Sequence, residues 1–226
     1  MFSLNGAAPH VSCEVFPPMD LSDGEYEIGL IDLSTYYTIP NIERGVNDMF
    51  HYGVDKEIVI DEGSYEIENI EEYIKSHIDG SVTFSLKANN NTLKSEVSCS
   101  EAIHFEKPNS VASVLGFTAK ELEPHKTHMS DLPVSIMAVN TIRVECNIAR
   151  GSFQNGMEGH VLHEFYPDVA PGYKIVEKPS TVIYLPVNVR RVNNIEVSLR
   201  DQNGDLINFR NEPVSLRLHI RKRQWV

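Results

Sequence analysis

Two histidines and a glutamate, His160, His163 and Glu164, are the residues whose types could hold a metal ion, since imidazole nitrogen and carboxylate oxygen are donors that divalent transition metals take. Metal-holding β-barrels place paired histidines two residues apart, so that both rings point inward. Here the separation is three, and on a regular strand His160 and His163 face opposite sides. His160 and Glu164 do share a face, so a site would have to draw further ligands from elsewhere in the chain. A second pair, His125 and His128, falls in the polar stretch 121–133, read as loop, where a turn could converge both rings; surface histidines are the reading preferred. The expectation is therefore no catalytic residue, no metal site and no cofactor. The chain also lacks Gly-x-Ser-x-Gly, a glycine-rich phosphate loop, His-Glu-x-x-His and Cys-x-x-Cys. Cys13, Cys99 and Cys146 are far apart and match no metal spacing; buried free thiols in a reducing compartment are expected.

Strands must position these side chains, and the last quarter of the chain shows them most clearly. Ile195, Val197 and Leu199, then Ile207 and Phe209, then Val214, Leu216, Leu218 and Ile220 alternate with polar residues, which predicts three strands with one buried face each. Register decides the first turn. A two-residue loop at Asn203-Gly204 pairs Leu199 with Asn208, whereas a type I turn with Gly204 left-handed in a bulge pairs Asp201 with Asp205. The second sets Leu199 opposite Ile207 and Val197 opposite Phe209, burying one common face, so the bulged turn is predicted.

Elsewhere the signals are shorter. A strand is predicted within 26–39, a surface loop over 41–55, and short strands over 57–61 and 102–106. Over 64–80, Ile67, Ile70, Ile74 and Ile78 recur at helical spacing, with acids early and Lys75 and His77 late, which predicts the one convincing helix. Residues 81–97 read as a hairpin turning at Asn89-Asn90, a loop that sets Leu86 against Leu93 and Val82 against Val97. A helical turn ends at Gly116-Phe117. A long strand is expected over 134–149, and further ones over 160–166, 173–177 and 181–188. About eight or more short strands with one helix predict an all-β fold, an antiparallel sandwich or jelly roll with one short helix and long loops. Residues 1–16 read as a flexible N-terminal arm and 17–226 as one domain.

The 226 residues are 41% hydrophobic and 23% charged, with a net charge of -12, which disfavours free nucleic-acid binding unless a local patch overrides it. One such patch is Arg217, Arg221, Lys222 and Arg223 on the last strand and tail, with two readings: an electrostatic contact with an acidic partner or packaged DNA, or a charged edge strand. Trp225 beside it could anchor the tail in a groove. No secretion signal or membrane-spanning run is read in the chain.

Seven phrases together resemble one family: FPPMDLSDGEYEIGLIDLSTYYTIPNI, SYEIENIEEYIK, NNNTLKSEV, NSVASVLGF, NTIRVECNIARGS, PGYKIVEKPSTVIYLPVN and IEVSLRDQNGDLINFRNEPVSLRLHIRK. They are similar to the minor capsid, or penton, proteins of Polinton/Maverick transposable elements and the related adintoviruses. The resemblance spans nearly the whole chain and consists of turns and strand patterns rather than catalytic residues. It implies a single jelly roll forming a homopentamer at the five-fold vertices of an icosahedral capsid. The implied partner is a double-jelly-roll major capsid protein, with a weak contact to packaged DNA as a further expectation. The implied localisation is the virion, assembled inside the cell, with no membrane partner, no cofactor and no enzymatic activity. The alternatives are a cupin-like metal enzyme using His160, His163 and Glu164, or a ligand-binding β-sandwich module.

Overall fold

The computed structural model describes residues 1–137 and 139–223, so the reading of Trp225 lies outside the described residues. In chain order the first strands are β1 (Phe2–Ala7), β2 (His10–Asp20), β3 (Tyr26–Tyr36), β4 (Met49–Tyr52), β5 (Lys56–Val59), β6 (Phe84–Asn89), β7 (Lys94–Cys99), β8 (Ile103–His104), β9 (Glu121–Leu122) and β10 (Thr127–Met129). There follow β11 (Ile142–Cys146), β12 (Ser152–Gln154), β13 (Met157–Gly159), β14 (Val161–Phe165), β15 (Lys174–Glu177), β16 (Leu185–Pro186), β17 (Arg191–Arg200) and β18 (Pro213–Lys222). Helix α1 spans Ile67–His77 and α2 spans Ala112–Leu115. The chain divides into two compact units: unit 1 is Met1–Ile39 with Val139–Val226, and unit 2 is Pro40–Ala138.

Unit 1 is built from two antiparallel sheets. One runs β1-β18-β3-β15, with β16 on the same edge of β3 as β15; the other runs β14-β11-β17-β2. Counting only its eight principal strands, the orders are first, eighth, third, sixth, and fifth, fourth, seventh, second. Apart from the step from β11 to β14, each successive strand switches sheet, and the two Greek keys this produces define a jelly roll. The core lies on the alternating faces that the sequence predicts: Ile195, Val197 and Leu199 from β17, and Val214, Leu216 and Leu218 from β18, are all buried. Each such aliphatic side chain contributes roughly 1.5–3 kcal/mol relative to exposure.

The turn after β17 has the predicted register. Asp201 N donates to Asp205 O at 2.9 Å, Ile207 N donates to Leu199 O at 3.1 Å, and Gly204 sits at φ +92°. The following segment differs from expectation. Ile207 and Phe209 are buried but form no ladder strand, because the chain is crossing there from the sheet of β17 to the sheet of β18.

The predicted N-terminal arm is corrected as well. Residues 2–7 pair with β18, and β2 pairs with β17, placing Leu4, Ala8 and Val11 in the core. Edge pairing satisfies the backbone of a segment whose polar side chains alone suggested an arm. The single domain over 17–226 is likewise corrected: the jelly roll begins at the N-terminus and is interrupted by unit 2 between its third and fourth strands. Of the long strand expected over 134–149, β11 is the laddered part.

Unit 2 has its own core. Its sheets run β5-β4-β8-β9 and β10-β7-β6. Helix α1 packs on β6 through the predicted face of Ile67, Ile70 and Ile74. Glu71 accepts a hydrogen bond from Leu86 N at 3.0 Å and pairs with Lys75 at 2.7 Å, so part of the acidic face serves the fold. Residues 41–55, expected as a surface loop, instead contain β4 and its wholly buried Phe50. The hairpin after β6 is also shifted from prediction. Asn89 pairs with Lys94, and Leu86 with Val97. The longer loop leaves Leu93 in solvent at φ +57° and sets the buried Val97 opposite Leu86 in its place, while Asn89 Oδ1 accepts from Asn91 N and Thr92 N. The polar side chain thus closes the loop in place of a left-handed Asn89-Asn90 turn.

Candidate assembly surface and charged sites

The basic residues of β18 stand opposite acids of β3 and its approach. Register sets Arg217 directly across from Asp32 and Arg221 across from Glu27, and directly opposed side chains share a face. Arg217 Nε donates to both carboxylate oxygens of Asp32 at 2.9 Å, with Nη2 on the same carboxylate. Arg221 Nε donates to Glu27 at 2.6 Å while its guanidinium lies 3.6 Å from the centroid of the Tyr184 ring. Lys222 reaches Asp23 at 2.9 Å and Arg223 reaches Glu25 at 3.6 Å. The hydrogen bond from Arg217 holds the Asp32 carboxyl below its usual range, and Lys222 does the same for Asp23. This strand therefore presents a zipper of matched charges. The acids are legible in sequence as Asp23 and Glu25 ahead of β3 and Glu27 and Asp32 on it, but the break in register between Arg217 and Leu218, which brings Asp32 opposite Arg217, has no period-two signal.

The metal-type residues His160, His163 and Glu164, at and just before β14, are not brought together on one centre. His160 Nδ1 donates to Ala149 O at 2.6 Å, His163 Nε2 meets Glu177 Oε1 at 2.8 Å, and Glu164 accepts from Arg143 Nε at 2.9 Å. Each side chain joins a different neighbour: His160 lies just ahead of β14, and the register shift between Val144 and Glu145 places a bulge between it and His163, so the regular-strand alternation does not extend across the pair. His128 Nε2 donates to Glu123 O at 2.9 Å; His125 is exposed with its backbone N–H on Cys99 O. The three cysteines are free thiols. Burial raises the Cys146 thiol to about 11, which keeps it protonated and unreactive at neutral pH.

Unit 1 also exposes large apolar side chains. Along β2 the register advances from Glu14 opposite Asn194 to Met19 opposite Val192, so residues 15–18 bulge against Asn193 alone. Phe16 is carried on that bulge and is 94% exposed. The β12–β13 hairpin displays Phe153 and Met157, and the connection from β14 to β15 displays Tyr166 and Tyr173. Single exposed apolar residues are ordinary, but bulky ones on protruding turns are where association would remove the most apolar area.

No family model and no curated protein matches the chain. Among solved structures it is similar to the mavirus penton protein, in a crystal structure of the selenomethionine-labelled protein. The identity is 10% over 95% of this chain and 91% of that chain, with a TM-score of 0.47. It is also similar to a chain in the cryo-EM structure of the Sputnik virophage, at 14% identity over 96% of this chain and 93% of that chain, with a TM-score of 0.38. The jelly-roll assignment rests on the strand order of this chain itself.

Proposed function

We propose that this protein is a structural virion protein: a penton-type minor capsid subunit that closes into a homopentamer at the five-fold vertices of an icosahedral capsid. The observation that carries this reading is the strand order of unit 1, with all eight principal strands in the two-sheet arrangement shared by capsid, lectin and cupin jelly rolls. The family resemblance of the sequence selects the capsid member of that set. The cupin alternative loses its basis because His160, His163 and Glu164 each hold a separate structural partner.

A closed ring of five needs heterologous contacts, one surface of a subunit meeting a different surface of the next. Phe16 on its bulge and Phe153 with Met157 on their hairpin are candidates for such contacts, and charged β18 is not, because its cations already face acids. The same pairing weakens the case for contact between this strand and packaged DNA. The major capsid partner, of double-jelly-roll type, and assembly inside the cell belong to the same proposal.

Sedimentation velocity on the full chain over a wide concentration range, alone and mixed with the major capsid protein, tests it. A discrete pentamer or a stable complex is expected. A monomer at every concentration that never joins its capsid partner contradicts the reading.

A further inference from the structure

Unit 2 holds a ligand set that the pattern of His160 and His163 does not predict. In the run His104-Phe105-Glu106 the middle residue is buried in the core, 2% exposed, so its neighbours on either side are turned outward. The pairing of β8 with β9 sets His104 directly opposite Glu121, which puts those two side chains on one face. The outcome is a cluster of His104, Glu106 and Glu121, with one donor atom of each lying within 4.8 Å of the others.

A contact outside the cluster fixes the chemistry of the ring. His104 Nε2 lies 2.9 Å from Gly53 O. A carbonyl oxygen can only accept, so Nε2 carries the proton. In the neutral ring Nδ1 is then a bare lone pair, yet it faces Glu106 Oε1 at 3.1 Å, acceptor against acceptor. Positive charge must lie at that contact for it to be favourable. The neighbouring lysines are engaged with other carboxylates: Lys107 with Asp55 at 3.4 Å, Lys120 with Asp131 at 2.7 Å, and Lys56 with Asp79 and Glu101. A ring nitrogen anchored on a backbone carbonyl, with the other left open toward carboxylates, is how metal-binding histidines are commonly oriented.

We propose that His104 Nδ1, Glu106 and Glu121 bind a divalent transition metal, zinc foremost, and that the ion ties β8 to β9 within unit 2. One imidazole and two carboxylates suit that ion, with water completing the tetrahedron. Donors around tetrahedral zinc stand roughly 3.3 Å apart, given metal–ligand distances of about 2.0–2.1 Å. His104 and Glu106 are already at that spacing, and rotation of the exposed Glu121 side chain closes the remainder.

The test uses the full chain stripped with chelator and titrated calorimetrically with ZnCl2 alone, then with CoCl2 alone as a spectroscopic probe. One equivalent of zinc should bind, raise the unfolding temperature, and have a cobalt counterpart with the visible absorption of four-coordinate Co²⁺. His104→Ala should weaken binding about 100-fold and Glu121→Gln at least about tenfold, by analogy with the losses seen when partners of metal ligands are removed. Glu106 and Glu121 are exposed, so E106Q and E121Q test the site without disturbing the core. His125→Asn, outside the cluster, should bind as the parent does. Absence of saturable zinc binding overturns the proposal, as does zinc binding that survives both H104A and E121Q. So does an NMR titration in which His104 is an imidazolium at pH 7 and its resonances ignore added zinc, because a proton would then supply the charge.

Discussion

Unit 1 and unit 2 both bury the faces of antiparallel sheets, but they do so with different side chains. The jelly roll relies on long alternating strands and mostly aliphatic residues, such as Ile195, Val197, Leu199, Leu216 and Leu218. Among the described strands of unit 2 only β6 and β7 reach six residues, and bulky rings gather in the core: the Phe50 ring centroid lies 5.2 Å from that of Phe84 and 6.4 Å from that of Phe105, which is in turn 5.0 Å from that of Phe117. The contrast teaches that sheet order can be specified either by period along the strand or by a few large anchors. The first kind of specification spreads over many residues, while the second concentrates in few.

Truncating one anchor should therefore be the most damaging single change. Phe50→Ala is expected to cost about 3–5 kcal/mol, and Leu218→Ala about 2–5 kcal/mol. Hydrogen exchange on the two variants sharpens the comparison. Protection should fall within 40–137 for the first and within the strands of unit 1 for the second. Loss of protection in both units from either variant would show that the two cores unfold as one.

Glycines in left-handed geometry give a smaller test with one member in each unit. Gly116 has φ +79°, and an added Cβ would lie 2.3 Å from Leu132 O and 2.9 Å from Pro133 O. Gly204 has φ +92° and open space around it. Gly204→Ala should thus cost only the backbone preference, about 1–2 kcal/mol. Gly116→Ala should cost distinctly more, since backbone must also move. Equal urea midpoints for the two variants would contradict this account of the turns.

The smallest effect concerns the charge zipper. Because Arg217 depresses the Asp32 carboxyl, the pair stabilises the fold above the unfolded carboxylate value of about 3.9 and loses that contribution as pH falls through the lower folded value. Arg217→Ala should therefore lower the melting temperature slightly at neutral pH, with the difference from the parent shrinking in acid and in high salt. A difference that grows below pH 4 has the wrong sign for this explanation.

How legible each part was in sequence follows from the same contrast. The period-two runs of β17 and β18 are long enough to read directly, and the turn at Gly204 could be registered because only one pairing buries Leu199 with Ile207. Helix α1 was readable from the spacing of Ile67, Ile70, Ile74 and Ile78 and from the charges at its two ends. The segment holding Phe50 was not, since four residues of strand carry almost no period. The Asn89-Asn90 hairpin was misregistered because Leu93 reads as core by composition, while the fold exposes it and pairs Val97 with Leu86 rather than with Val82. The first sixteen residues looked like an arm because their partners, on β17 and β18, lie at the far end of the chain, as in Glu14 opposite Asn194 and Phe2 opposite Leu218. The same distance hid the pairing of Arg217 with Asp32. Interruption of the jelly roll by unit 2 has no local sequence signal, being a fact about which strands pair.

The account's central claim is that this jelly roll is a vertex subunit, and negative-stain electron microscopy of the purified full chain tests it most directly. Class averages should show closed rings with five-fold symmetry. Isolated monomers, or rings of three-fold symmetry, would contradict the claim.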